Sequence, residues 1–155
     1  MLSPTTDVPA LSLVIPVYNA AEQLPATLDA VDAFAERFNA SLEVLFVDDH
    51  SSEVETQLIL EDYARQRPFA RVLRNATNRG KGFSVTRGML AARGAHRVFT
   101  DVDLAYPLDQ VHRIIEQLHG GHEATSPITP ARAALLDLPV RRPPSPRPPS
   151  LRCRV

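Results

Sequence analysis

One cysteine in 155 residues cannot close a disulfide within the chain, so oxidative cross-linking plays no part in the fold, and Cys153 by itself makes no metal cluster. Long apolar runs are also missing. No stretch approaches the ~18–20 residues that cross a bilayer. Residues 1–10 hold no basic residue, so a secretory leader is not expected there. Charge of one sign is missing too: 17 Lys and Arg stand against 18 Asp and Glu, a net of −1, which speaks against a general nucleic-acid binder. Glycine is scarce at six, and the stretch 18–23, where a first strand gives way to a helix, has none. That excludes the glycine fingerprint of a dinucleotide site. The chain reads as cytoplasmic, able to rest peripherally on the cytoplasmic face of a membrane.

What is present is enough apolar content, 44%, for one domain with a real core. The average hides a break near Ala124. Residues 1–123 carry 11 Lys and Arg against 17 Asp and Glu, a net of −6. Residues 124–155 carry six Arg and one acid, Asp137, a net of +5, with eight of the 14 prolines. The run RRPPSPRPP (141–149) suits neither helix nor central strand. Three parts are therefore expected: a short N-terminal tail (1–10), a folded part (11–123) and a disordered Pro/Arg-rich tail (124–155).

Within 11–123, short buried runs alternate with amphipathic stripes. LSLVIPV (11–17) and LEVLFV (42–47) are almost continuously apolar, as strands covered on both faces are. Shorter strands are predicted at 71–74 and 97–100. Leu24, Leu28, Val31, Phe34 and Phe38 form a helical stripe. Asn19 with Glu22 resembles a capping box, although Pro25 also allows a start near Leu24. Ser52 with Glu55 gives a second capping-box signal, ahead of a helix through Val54, Leu58 and Ala64. Val85, Met89 and Ala92 mark a third helix, stopped by Gly94, and Val111, Ile114, Ile115 and Leu118 a fourth, closed by Gly120-Gly121. Strand and helix alternate four times, which predicts an α/β fold with a mainly parallel sheet flanked by helices.

Right-handed crossovers then bring every strand's C-terminal end to one side, where open α/β sheets bind ligands. The polar residues converge there: Tyr18-Asn19, Asp48-Asp49, Arg79-Gly80-Lys81 and the pair Asp101/Asp103. Two carboxylates spaced Asp-x-Asp after a strand can share a hard cation, Mg²⁺ or Mn²⁺, with substrate phosphates. An acid after a strand suits a ribose hydroxyl, and Lys81 and Arg79 suit phosphate. Gly80-Lys81-Gly82 is not a P-loop, because the full G-x-x-x-x-G-K-[ST] pattern is absent. His119 and His122 read as a surface pair at a helix end. A receiver-like regulatory domain, with an Asp pair and a Lys, is the alternative outside nucleotide-sugar chemistry.

Four blocks, LSLVIPVYNA (11–20), VLFVDDHSS (44–52), NRGKGFSVTRGMLAARG (78–94) and VFTDVDLAYP (98–107), resemble in order and spacing the family 2 glycosyltransferases of GT-A fold. The third and fourth are similar to the branch that includes dolichyl-phosphate β-glucosyltransferase and dolichol-phosphate mannosyltransferase-like enzymes. The resemblance implies that 11–123 is the nucleotide-sugar-binding part. Pro16 and Tyr18 would line the base and ribose pocket, with Asp48 and Asp49 on the base or ribose. Gly80 and Lys81 would sit near the nucleotide. Asp101 would face the ribose or sugar and share in the metal site, and Asp103 would ligate Mg²⁺ or Mn²⁺. It further implies inverting transfer of a hexose from UDP-glucose or GDP-mannose to an acceptor such as a polyprenyl phosphate, with no nucleic-acid partner. A nucleotide-sugar-binding fragment without turnover shares every motif. Ala105, where mannosyltransferase relatives often carry glutamine, tilts the donor towards glucose. The Pro/Arg-rich tail resembles nothing in the family, so a chain truncated or read out of frame after about residue 123, lacking an acceptor-binding half, is expected.

Overall fold

A computed structural model describes residues 8–119. Eight elements follow in alternation: β1 Leu11–Val17, α1 Leu24–Arg37, β2 Leu42–Asp48, α2 Val54–Gln66, β3 Ala70–Arg74, α3 Lys81–Ala91, β4 His96–Phe99 and α4 Leu108–His119. The strands form one parallel sheet in the order β3-β2-β1-β4. β1 and β2 pair in register from Leu11↔Leu42 to Val17↔Asp48, as the two buried runs require. β3 and β4 begin one residue earlier than expected. The predicted tail, His122, Cys153 and the Gly120-Gly121 stop lie outside the described residues.

Strand alternation divides the core between two faces. Leu11, Leu13, Ile15, Val44 and Phe46 meet Leu24, Val31, Phe34, Leu60, Val111 and Ile115 on the face of α1, α2 and α4. Val14, Leu45 and Val47 meet Met89 of α3 and Ala92 at its C-cap on the other. The opposite placement of α3 follows from topology: the β3-to-β4 crossover passes β2 and β1 to reach the far side of β1. α3 lies so close to the sheet that a Cβ on Gly88 would stand 2.4 Å from Val14 Cγ1 and 2.9 Å from Val47 Cγ2. Glycine is needed there for want of space.

Pro16 sits in a central strand, where a missing N–H would normally cost a ladder bond. Its register removes that cost. Val17 O accepts from Asp49 N (2.8 Å) and Val14 O from Thr100 N (3.0 Å), so odd residues of β1 address β2 and even residues address β4. Pairing with β4 ends at Val14↔Phe99. Pro16 therefore faces the gap beyond β4's end, and with no donor to offer it cannot extend that pairing. The sheet opens between β1 and β4 at this point.

Both expected capping boxes are absent. α1 starts at Leu24, its N-cap Gln23 makes no side-chain cap bond, and Pro25 occupies the first turn; this is the alternative start that Pro25 allowed. Ser52 does not cap α2. Asn19 does, from 33 residues away: its Oδ1 accepts from Ser52 N (2.8 Å) and Glu53 N (3.2 Å). A tertiary acceptor has satisfied N–H groups at the helix entry that the local pattern left to neighbours. Val54 and Leu58 belong to α2 but are 65% and 60% exposed. The buried stripe of α2 is Thr56, Leu60 and Tyr63.

Candidate active site

The opening between β1 and β4 is the mouth of a cavity of about 540 Å³ at the C-terminal edge of the sheet. Pro16 and Tyr18 from β1's end, Asp49 after β2, Gly80 and Lys81 at the start of α3, and Asp101 and Asp103 after β4 all line it. Seven of the nine residues expected at the site are thus brought together. The rim backbone is turned sharply: Asn19, His50 and Leu104, which follow β1, β2 and β4, have φ of 46°, 61° and 46°. A left-handed leucine is unusual, and it lies between Asp103 and Ala105.

Two expected residues stay out, Arg79 and Asp48. Arg79 lines a neighbouring cavity instead. Asp48 is 2% exposed and absent from the cavity wall. Its Oδ1 accepts from Ser51 N (2.9 Å) and its Oδ2 from Arg74 Nη1 (2.6 Å). Asp48 therefore ties the end of β2 to the end of β3 and shapes the turn that carries Asp49.

Asp49 organises the loop leading into α3. Its Oδ1 accepts from Asn75 Nδ2 (2.7 Å) and Arg79 N (2.9 Å), and its Oδ2 from Gly80 N (2.7 Å). Burial pushes this carboxyl up, but those hydrogen bonds outweigh it and hold the group below its ordinary range. Gly80 has φ +85°, a conformation natural to glycine, and this turn aims its N–H at Asp49. Asn75 was not read as a site residue. Its amide donates to Asp49 and to Ser84 Oγ (2.8 Å), while its Oδ1 accepts from Arg87 Nη1 (2.6 Å). Ser84, fully buried and on the cavity wall, was missed as well. An Asn and a Ser in a polar loop carry no periodic or motif signal.

Across the cavity, Lys81 Nζ is ion-paired with Asp101 Oδ1. Asp103 is exposed and its Oδ1 accepts from Ala105 N (3.2 Å) within its own turn. Thr27 Oγ1 on α1 donates to Val102 O between the two acids, anchoring the turn to the first helix. Among the described residues no three His, Cys, Asp or Glu side chains gather as a metal cluster. Two carboxylates in one turn beside a cavity still suit a hard cation that takes its remaining oxygens from substrate phosphates and water. The donor set fits Mg²⁺ or Mn²⁺ in that shared mode, with Asp103 the more accessible carboxylate. No helix among the described residues is long and apolar enough to cross a membrane.

Comparison with known proteins agrees with this geometry. The model of the family described as "Glycosyl transferase family 2" matches residues 12–142. An undecaprenyl-phosphate 4-deoxy-4-formamido-L-arabinose transferase of Aeromonas hydrophila is 33% identical over 119 residues, covering 76% of this chain and 36% of the relative. A dolichyl-phosphate beta-glucosyltransferase of Drosophila melanogaster is 38% identical over 100 residues, covering 60% of this chain and 30% of the relative. The chain thus spans about a third of the length of these curated relatives. Among solved structures, the mannosyltransferase PcManGT of Pyrobaculum calidifontis, in complex with GDP-Man and Mn²⁺, superposes with a TM-score of 0.59 at 22% identity, over 72% of this chain and 33% of that one. TarS of S. aureus with UDP-GlcNAc gives 0.55 at 24% identity, over 70% and 32%. These likenesses show the GT-A fold, and the receiver-like alternative falls with them. The four sequence blocks, the parallel sheet and the family match together make this chain a member of glycosyl transferase family 2.

Proposed function

We propose that the cavity holds the donor of a hexosyl transfer: a nucleotide diphosphate sugar, UDP-glucose or GDP-mannose, whose sugar passes with inversion to a polyprenyl phosphate at a membrane surface. The observation that carries this reading is the meeting of Lys81, Asp101 and Asp103 opposite Pro16, Tyr18 and the Asp49 loop in one cavity. The polyprenyl acceptor is supported by the names of the relatives, and the metal by the Mn²⁺ in the PcManGT complex.

In this reading Tyr18, 51% exposed, and Pro16 supply the flat wall against base and ribose. Asp49 holds Gly80 and the loop in shape, leaving its cavity-facing edge for the base or ribose. Asp103 and, with it, Asp101 would hold Mg²⁺ or Mn²⁺. When bound, such a cation offsets the charge growing on the leaving nucleoside diphosphate. Lys81 supplies a second positive charge on the same side. Its pairing with Asp101 keeps both charges compensated before donor arrives, and the ammonium can exchange that carboxylate for a phosphate oxygen. An acceptor phosphate oxygen would then attack the anomeric carbon from the face opposite the diphosphate.

The test is donor binding by the Lys81→Ala variant, measured by titration calorimetry with Mn²⁺ present. Loss of a charged hydrogen bond should weaken binding by about 1–3 kcal/mol. Unchanged affinity for UDP-glucose and GDP-mannose would remove Lys81 from the donor site.

A further inference from the structure

A second cavity, of about 280 Å³, lies behind the same loop. Successive residues share out the two spaces: Asn78, Gly80, Lys81 and Ser84 line the donor cavity, while Thr77, Arg79, Phe83 and Arg87 line this one with Arg74. No carboxylate is among its lining residues. Arg74 has its charge balanced by Asp48 behind the wall. The other two arginines spend theirs on neutral groups. Arg79 lies over the Phe83 ring, with its guanidinium carbon 4.3 Å from the centroid. Arg87 Nη1 donates to Arg74 O (2.7 Å) and Asn75 Oδ1 (2.6 Å).

These contacts hold two guanidinium groups in place without neutralising them. Arg87 keeps its Nε and Nη2 donors, and Arg79, over the Phe83 ring, spends none of its side-chain N–H groups on a carboxylate. Fixed, planar, multidentate donors are what phosphate oxygens take best, and prior fixing lowers the ordering entropy that binding costs. Positive groups gathered in a concave space also repel one another, which an anion relieves. We propose that this cavity is a binding site for a phosphate group, separate from the donor cavity. The group could arrive as free phosphate or as the phosphomonoester headgroup of an anionic lipid.

The experiment uses the full chain, ¹⁵N-labelled, with the arginine Nε–H and backbone amide resonances followed by NMR. One arm titrates inorganic phosphate. The other adds phosphatidylcholine vesicles with or without phosphatidic acid and follows co-sedimentation. Arg79→Gln is the informative variant: the Arg79 side chain is exposed and lies over the Phe83 ring, and its backbone bond to Asp49 is kept, so an unchanged thermal melt is expected. Saturable shifts at Arg79 and Arg87, weakened about fivefold or more by Arg79→Gln and unaffected by Lys81→Ala, support the site with free phosphate as ligand. Sedimentation that depends on phosphatidic acid and falls with Arg79→Gln supports it with the lipid headgroup. The proposal is overturned if neither ligand binds. It is equally overturned if Arg79→Gln changes nothing, or if the shifts centre on Gly80 and Lys81 and vanish in Lys81→Ala, a result that would leave the donor reading intact.

Discussion

Replacing Asp49 by Asn keeps the shape of the side chain and removes what it does. The carboxylate offers acceptors to three donors: Asn75 Nδ2 at 2.7 Å, Arg79 N at 2.9 Å and Gly80 N at 2.7 Å. An amide has one oxygen. Whichever way it turns, its NH₂ group meets a donor, and one buried N–H is left unsatisfied at about 1–3 kcal/mol. The bonds that survive change from charge-assisted to neutral, roughly 1 kcal/mol each. Asp49→Asn should therefore destabilise the fold by about 3–5 kcal/mol. At an m-value of ~1–3 kcal/mol/M that lowers the urea midpoint by roughly 1–5 M. Amide hydrogen exchange locates the damage: protection should fall at Arg79 and Gly80 before it falls in β1. Donor binding should weaken too, as a consequence of the disordered loop. A variant that keeps its urea midpoint and its Arg79 and Gly80 protection, yet loses donor binding, would refute the account of Asp49 as the organiser of the loop.

Gly88→Ala should cost about 1–3 kcal/mol by overpacking, since Val14 and Val47 are β-branched side chains on central strands and have little room to yield; a thermal melt unchanged or raised would show that α3 can lift from the sheet freely. Acid should unfold the protein through three carboxyls held below their ordinary range. Arg67's hydrogen bonds lower Asp32. At Glu43 burial pushes up, but bonds from Arg93 N, Ser12, Arg71 and the Arg93 guanidinium outweigh it, and Asp49 behaves likewise. For each, the native state binds fewer protons than the unfolded chain, so the stabilisation is full above the ordinary value of about 4 and is lost as pH falls from there through the depressed values. Urea midpoints measured down this range should drop, and Arg67→Ala, by releasing Asp32, should make the drop shallower; an equal slope would show that Asp32 contributes nothing.

How much of this was legible depends on the range of the interaction concerned. The buried runs at 11–17 and 42–47 and the four-fold alternation are local periodic signals, and they yielded the element order and the parallel sheet. Right-handed crossovers then carried Asp49, Lys81, Asp101 and Asp103 to one edge with no further information. Asp48 could not be told from Asp49, because adjacent acids differ only in which way the strand's end turns them; Arg74, a residue of another strand, decides that. The caps were misread for the same reason. Ser52 and Glu55 have the spacing of a capping box, but Asn19 takes the N–H groups of Ser52 and Glu53 from 33 and 34 residues away, and no window along the chain contains that competition. Val54 and Leu58 looked like a stripe because an apolar pair at i, i+4 is ambiguous until a helix has a sheet to face. Asn75 and Ser84 gave no signal, since their importance lies wholly in partners elsewhere in sequence.

The central claim is that Asp103 and its turn bind the donor's diphosphate through a divalent cation. Titration calorimetry of UDP-glucose and GDP-mannose into the full chain, with Mn²⁺ and with chelator, compared with Asp103→Asn, tests it most directly. The account predicts binding that requires Mn²⁺ and is lost in the variant, while the variant's melt stays close to that of the parent because Asp103 is exposed and its recorded hydrogen bond lies within its own turn. Equal binding by Asp103→Asn, or donor binding that ignores the metal, would contradict it.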